Sequence, residues 1–282
     1  MKLRAIEIGE LDQAATLLNE GFDKRSKAKW QANLREMFKH AENLGYNSIG
    51  YIASNKEGNF GICLAVPLIR SVYEAEPVKT INIAAFYMKP KFEWMAALFL
   101  RRIMTNSDVD YVDVTASASM RKVNALLGFT TSAIGTLVIP LAASALRPLS
   151  RAKIRSYNPR NSYSFSAGVT QVLQDHLKLG CRVLTIERDG ENHPVILSPK
   201  KRGSLASARV ILAKDRKLIE ESIGSLARYL LARGFFFLEM DVFEKPDLWE
   251  SSLRKRSAPI QSTMPKTSDV IDHTYTELVF VD

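Results

Sequence analysis

The chain has 282 residues, 46% of them hydrophobic and 24% charged, with 39 Lys+Arg against 30 Asp+Glu. Fractions this close to globular averages exclude collagen-like, coiled-coil and disordered classes, and the length suits one large domain or two small ones. The net charge of +9 is local: residues 1–140 carry +3, residues 166–282 carry +1, and Arg147, Arg151, Lys153, Arg155 and Arg160 put +5 into residues 141–165 with no acid.

Along the chain, alternation predicts a short strand over Leu3–Ile8, followed by a helix with Leu11, Ala14, Ala15 and Leu18 on one face. A second helix, about 26–44, repeats Trp30, Leu34, Met37, Phe38 and Ala41 at helical spacing and stops at Gly45, a usual left-handed terminator. Ser48–Ser54 and Phe60–Arg70 flank a turn at residues 55–59 and read as a hairpin. Thr80–Met88 is a strand, residues 92–103 a helix, Tyr111–Thr115 a strand, Met120–Leu127 a short helix and Ser132–Ile139 a last strand.

The second half repeats part of this order. A helix over Gly168–Leu179 precedes a hairpin of Val183–Ile186 and Val195–Leu197, a strand over Ala208–Ala213, a helix over 216–233 and a strand over Phe235–Val242. Phe235, Phe236 and Phe237 read as a doubly buried central strand. The intervals Met88 to Tyr111 and Ala213 to Phe235 each fit one right-handed strand-helix-strand crossover, which makes the joined strands parallel. Residues 244–272 are expected as a long loop or partly mobile lid, and Tyr275–Val281 as a closing strand.

Cys63 and Cys181 lie far apart among apolar neighbours and are expected as buried free thiols. His40, His176, His193 and His273 fall singly, without metal-ligand spacing, so no metal site is expected. Phosphate-loop, dinucleotide and nucleophile-elbow motifs are missing from the sequence. Residues 1–7 carry acids where a signal peptide is apolar, and residues 129–149 are too interrupted by Thr, Ser, Gly and Pro to span a membrane. A cytoplasmic location is expected. DNA is not an expected partner, because the basic residues form no stripe with interleaved aromatics. The basic stretch reads as a connector whose Leu141, Leu146 and Leu149 pack between domains, with weak RNA or membrane-surface contact as its alternative use.

The element order of residues 1–140 resembles the GNAT superfamily of N-acyltransferases. Asp113-Val114-Thr115-Ala116-Ser117, followed by a short helix into Leu127-Gly128-Phe129, is similar to that family's fifth strand, next helix and terminal Gly-Phe. Ala85-Phe86-Tyr87-Met88-Lys89-Pro90-Lys91-Phe92 is similar to its fourth strand and following turn. Residues 180–282 resemble a second, degenerate copy. The resemblance implies an α/β fold (mixed sheets of α+β type) with two GNAT-like domains in tandem, residues 1–140 and 166–282, joined by a connector at 141–165.

It also implies a V-shaped gap between the fourth and fifth strands that receives an acyl-CoA, acetyl-CoA or another, as co-substrate. Phe86, Tyr87 and Met88 would line the pantetheine arm, with a backbone N–H near Met88 on the thioester carbonyl. Ser117, Ser119 and Asn124 would line the thiol end, and Lys89 and Lys91 the phosphate end. No permanently bound cofactor is implied, and the acceptor would be a small-molecule or peptide amine. Asp113 is the first half's only carboxylate on these two strands and the candidate base, with an outward-facing strand carboxylate as its alternative reading; Glu239 and Asp241 occupy the corresponding strand of the second half.

The sequence departs from the family pattern twice. After Lys91-Phe92 it runs directly into Glu93-Trp94-Met95-Ala96 without the glycines that let a backbone approach a pyrophosphate, and Pro90 lacks an N–H. Asn124 stands where many members carry a tyrosine acid, and a carboxamide gives up no proton in that role. A non-catalytic GNAT-like scaffold and an aminoacyl-tRNA-dependent transferase with two such domains are the alternative functions.

Overall fold

The computed structural model describes the chain except residues 75, 132, 134, 149–150, 162–164, 243–247, 249–250, 256–259, 265–268 and 282. The first half comprises β1 (Lys2–Ala5), α1 (Leu11–Gly21), α2 (Lys27–Asn43), β2 (Gly50–Asn55), β3 (Gly58–Arg70), β4 (Val78–Met88), α3 (Ala96–Ile103), β5 (Asp110–Asp113), α4 (Ala118–Leu126) and β6 (Thr130–Thr131). Then follow β7 (Gly135–Pro140), α5 (Leu141–Ser144), β8 (Lys153–Ser156), α6 (Ala167–Lys178), β9 (Arg182–Arg188), β10 (Glu191–Arg202), β11 (Leu205–Ala213), α7 (Arg216–Leu231) and β12 (Phe237–Val242). The chain closes through β13 (Ser252–Lys255), β14 (Gln261–Ser262), β15 (Ile271–Asp272) and α8 (Glu277–Phe280).

Local chemistry explains the main helices. Ser26 caps α2 by accepting from the Lys29 N–H at 3.4 Å, and Trp30, Leu34, Met37, Phe38 and Ala41 form its buried face. Asp215 caps α7 through the Leu218 N–H at 2.6 Å, and Ile219, Ile223, Leu226 and Leu230 bury its apolar stripe. Both crossovers have the expected parallel sense, β4 beside β5 and β11 beside β12. Cys63 and Cys181 are both buried.

Two mixed sheets result, ordered β1-β2-β3-β4-β5-β14-β6 and β8-β9-β10-β11-β12-β7-β13, with β15 beside β11 in the second. The two orders run in register, and in each the sixth position is filled from the other half. Here the structure differs from the sequence reading. The last strand of the first half, expected over Ser132–Ile139 as the end of the first sheet, is β7 (Gly135–Pro140) and pairs with β12 and β13 of the second. In return β14, from the expected lid, pairs with β5 and β6 of the first. Alternation marks a segment as a strand but does not name its partner.

Further expectations change for local reasons. Within residues 275–281, expected as a strand, Glu277–Phe280 form the helix α8, because a short apolar run has no periodicity to separate the two. Within 244–272, expected as a loop or lid, the described residues supply three short strands, β13, β14 and β15, and the expectation for 244–247, 249–250, 256–259 and 265–268 lies outside the described residues. Residues 141–165 contain α5 and a β8 that pairs with β9; Leu141 is buried, Leu146 is exposed, and Leu149 lies outside the described residues. Phe235 is buried, but Phe236 is exposed and Phe237 carries the Arg202 guanidinium over its ring at 5.5 Å. Among the described residues no helix is long and apolar enough to cross a membrane.

Three apolar cores hold the sheets and helices together. Phe99, Leu100 and Ile103 of α3 and Met120 of α4 pack on the outer face of the first sheet. Leu137 and Ile139 of β7 join α5 and α7 on the outer face of the second. Between the sheets, α1, α2, α6 and α8 share one continuous core that includes Leu18, Leu34, Leu64, Leu173, Ile196, Ile211 and Phe280. The two halves are therefore joined by a hydrophobic core as well as by exchanged strands.

Candidate active site between the fourth and fifth strands

β4 and β5 pair only over Thr80–Asn82 and Asp110–Val112, and then part. The cause lies in both strands. On β4, Leu64 faces Ala84 and Ile62 faces Tyr87, so Ala85 and Phe86 both stand opposite Cys63. That bulge bends β4 away, and it holds Ala85 at a φ of +40°, a conformation that costs a side-chain-bearing residue energy. On β5, the Asp113 carboxylate accepts from the Thr115 N–H at 3.1 Å, turning the chain off the sheet towards the Ser117 cap of α4.

Two cavities meet at this gap, sharing Phe22, Ala85 and Thr115 as walls. One, of about 80 Å³, lies towards α4 and is lined by Phe86, Asp113, Ser117 and Met120. The other, of about 370 Å³, lies towards α2 and α8 and is lined by Lys24, Arg25, Trp30, Lys200, Glu277 and Leu278.

Glu277 is a wall of the larger cavity and is bonded to Thr115, a wall of both. Its Oε1 accepts from the Thr115 hydroxyl at 2.7 Å and its Oε2 accepts from the Asn82 amide. Burial, reinforced by the nearby Asp113 charge, pushes its pKa up to about 7 against the pull of those two donors. The segment that delivers it is anchored at Tyr275, whose ring stacks on His40 at 3.9 Å and meets His176 edge-on at 4.6 Å. The Tyr275 N–H donates to His176 Nε2 at 3.3 Å and its hydroxyl to Asp175 at 3.0 Å. Burial keeps both histidines neutral near pH 7, with His40 down to about 4.

The sheet order, the bulge on the fourth strand and the parting of the fourth and fifth strands can be set against known structures. A GCN5-related N-acetyltransferase from Anabaena variabilis superposes with a TM-score of 0.63 at 9% identity, covering 93% of this chain and 72% of that one. Eis1 from Mycobacterium abscessus gives 0.55 at 12%, covering 93% and 73%. A GCN5-related N-acetyltransferase from Kribbella flavida gives 0.52 at 8%, covering 93% and 70%. The chain has the GNAT fold. By sequence it matches no family profile and no curated protein.

Within this GNAT fold, the residues singled out by sequence divide between two places. Phe86, Asp113 and Ser117 line the smaller cavity, and Asn124 lies behind Asp113. Asp113 is buried rather than outward-facing, and burial raises its pKa to about 6 although Asn124 and two backbone N–H groups favour its charge. Asn124 Nδ2 donates to Asp113 at 3.0 Å and to Gln261 of β14 at 3.0 Å, which uses both of its amide hydrogens. Ser117 and Ser119 hydrogen-bond each other at 3.0 Å.

Tyr87, Met88, Lys89 and Lys91 do not line either cavity. The Tyr87 hydroxyl donates to Glu20 at 3.1 Å, and Met88 is buried beneath α3. Lys89 pairs with Glu20 at 3.5 Å and Lys91 with Glu57 at 3.4 Å. Between them and α3 the chain forms a 3-10 turn, Pro90–Met95, pinned by Phe92 stacking on Phe60 at 4.2 Å. That turn occupies its own N–H groups: Phe92 donates to the Lys89 carbonyl and Ala96 to that of Glu93. The Ala96 N–H, the first donor of α3, is thus engaged and not offered to an anion.

The second GNAT-like unit has the same bulge, between Ile196 and Leu197 against Leu212 and Val210, and the same parting after Arg209 and Glu239. Its gap is occupied. Arg209 and Asp241 pair at 2.6 Å, His273 Nε2 lies 3.3 Å from Asp241, Arg216 donates to the Asp241 carbonyl at 2.8 Å, and β15 runs along β11. Residues 269–281 therefore close one gap and furnish the other with Glu277. Sequence reasoning missed Glu277, Asn82 and Thr115; the available signal was a lone carboxylate heading the apolar run Leu278–Val281.

Proposed function

We propose that the chain is an N-acyltransferase that moves an acyl group from an acyl-CoA-type thioester to an amine, using the gap of its first unit. The carrying observation is Glu277, a buried carboxylate with its pKa pushed up to about 7, which lines the larger cavity and is bonded to Thr115, a wall of both. A base poised near the working pH is best able to accept a proton in the transition state.

The smaller cavity would take the thioester end and the larger one the acceptor. The amine nitrogen attacks the thioester carbon, the C–N bond forms, and the C–S bond breaks. Glu277 accepts the ammonium or amine proton, oriented by Asn82 and Thr115. Asp113 and Asn124 act as positioning residues for the turn after β5, since Asn124 has no amide hydrogen to spare for the sulfur. A thiolate whose conjugate acid has a pKa near 8.5 leaves without a dedicated acid and takes its proton from solvent. Rate enhancement then rests on holding donor and acceptor in line and on the exposed backbone of the bulge at Ala85 and Phe86. The second unit is structural in this reading.

Thiol release from acetyl-CoA and acetyl-pantetheine, with a panel of amines, tests it. Amine-dependent release is expected, and Glu277→Gln should lower kcat/KM by about 10²–10⁴-fold and abolish the rising limb of the pH profile near 7. Absence of amine-dependent release from any thioester would sink the proposal and favour a scaffold.

A further inference from the structure

A third cavity, of about 180 Å³, lies in the second unit and shares no wall with the two at the first gap. Ser156 of β8, Arg182 of β9, Tyr229 of α7 and Arg233 just beyond α7 line it, together with the buried Leu230 and Phe235. Among the described residues no acid lines it. Arg182 and Arg233 are exposed, and among the described residues neither has a carboxylate partner. The Arg233 guanidinium stands over the Tyr229 ring at 3.6 Å and donates to the Tyr229 carbonyl at 3.1 Å, which offsets the partial negative charge at the end of α7. Ser156 and Tyr229 are joined through their hydroxyls. Two hydroxyls carry two hydrogens and that bond uses one, so one O–H is left to donate. The neighbouring strand adds positive field, since Lys153 and Arg155 of β8 share the single carboxylate of Glu187 at 3.0 and 3.2 Å.

We propose that this cavity binds the phosphate end of a small organic phosphomonoester that carries an apolar or aromatic body. Two guanidinium forks and a hydroxyl match the three terminal oxygens and nearly double charge of a monoester, whereas a carboxylate offers two oxygens and a single charge. Walls that hold two arginines and no acid favour the more highly charged anion. The body of the ligand packs on Leu184, Leu230 and Phe235, whose side chains supply the apolar part of the lining. Through Ser156 the basic stretch that joins the two halves takes part in a binding site. The second unit, whose own gap is occupied, thereby gains a ligand of its own.

The test titrates phenyl phosphate, benzoate and inorganic phosphate calorimetrically into the full chain. Phenyl phosphate is expected to bind saturably below millimolar concentration, at least about tenfold more tightly than benzoate, which keeps the ring but carries one charge. Inorganic phosphate, which lacks the body, should bind more weakly than phenyl phosphate and compete with it. Affinity should fall from about pH 7.5 to about pH 5, as the monoester takes up a proton with a pKa of about 6. Arg182→Gln with Arg233→Gln should weaken phenyl phosphate by at least about tenfold at unchanged Tm, and Arg182→Gln alone serves if the second substitution lowers Tm. Absence of saturable binding at millimolar concentration, equal binding of benzoate, or an affinity untouched by these variants would overturn the proposal. A short single-stranded RNA that binds more tightly than phenyl phosphate would also overturn it, in favour of a nucleic-acid surface. No acyl donor or amine is present, so the result is independent of the transfer reaction.

Discussion

Cutting the nucleotide half off the donor should cost this protein little. Backbone N–H groups bonded to a charged oxygen contribute about 1.5–3 kcal/mol each, so a cradle of two or three would impose about a thousandfold preference for acetyl-CoA over acetyl-pantetheine. Here Pro90 has no N–H, those of Phe92 and Ala96 are bonded to Lys89 and Glu93 carbonyls, and Glu93 adds a like charge. The cationic side chains there are the half-buried Lys89 and the exposed Lys91, already paired with Glu20 and Glu57. Exposed ion pairs are worth about 0–1 kcal/mol, so two lysines supply at most about 2 kcal/mol, a preference of about thirtyfold. The assay is kcat/KM for both donors at low and high salt, where the residual preference should shrink as salt screens the lysines. A thousandfold preference that survives Lys89→Ala plus Lys91→Ala would refute the reasoning and mean that the 3-10 turn opens into a cradle.

Other outcomes follow from buried charge. Between about pH 4.5 and 7 the folded chain holds a proton on Glu277 that the unfolded chain has released, so this group's contribution to stability falls as pH rises through that window. Glu277→Gln should therefore raise Tm at pH 8 relative to pH 5, compared with the parent; an unchanged pH–Tm curve would contradict the burial. His40 has the opposite sign: its pKa falls to about 4, so stability declines as pH drops from about 6.5 through 4. His40→Gln, which can still donate to the Pro67 carbonyl, should lessen acid sensitivity in a pH titration of the fold. Asp241→Ala would leave Arg209 buried without its carboxylate and should cost about 3–5 kcal/mol in urea unfolding; a loss below about 1 kcal/mol would mean that the second gap is not sealed by this pair.

The strand exchange bears on how such a chain holds together. Asp110 of β5 accepts from Ser262 at 2.7 Å, Thr263 at 3.2 Å and the Met264 N–H at 3.1 Å, and pairs with Arg70 at 3.2 Å. A buried carboxylate of the first sheet is thus satisfied largely by residues about 150 positions later. On the other side Thr136 of β7 donates to Asp241 at 2.9 Å, tying a strand from the first half to the ion pair that fills the second gap. Breaking either exchange would strand buried charge, so the two units are expected to unfold together.

What the sequence determined by itself is what period and punctuation encode. The 3.6-residue repeat of Trp30, Leu34, Met37 and Ala41 and the two crossover intervals are properties of adjacent residues, and α2, α7 and both parallel pairs appear where those signals lie. The absent glycines before α3 were equally legible, because backbone approach to an anion is a local requirement. Tertiary structure alone decided the rest. Nothing in Gly135–Pro140 or Gln261–Ser262 says which sheet each will enter, since an unpaired strand edge accepts any compatible backbone. His40 and His176 fall singly in the sequence and share one tyrosine in space. Glu277 becomes a candidate base only because α8 is driven, by the burial of Leu278, Val279 and Phe280, into a gap formed some 160 residues earlier, where removal from water raises the pKa of a carboxylate.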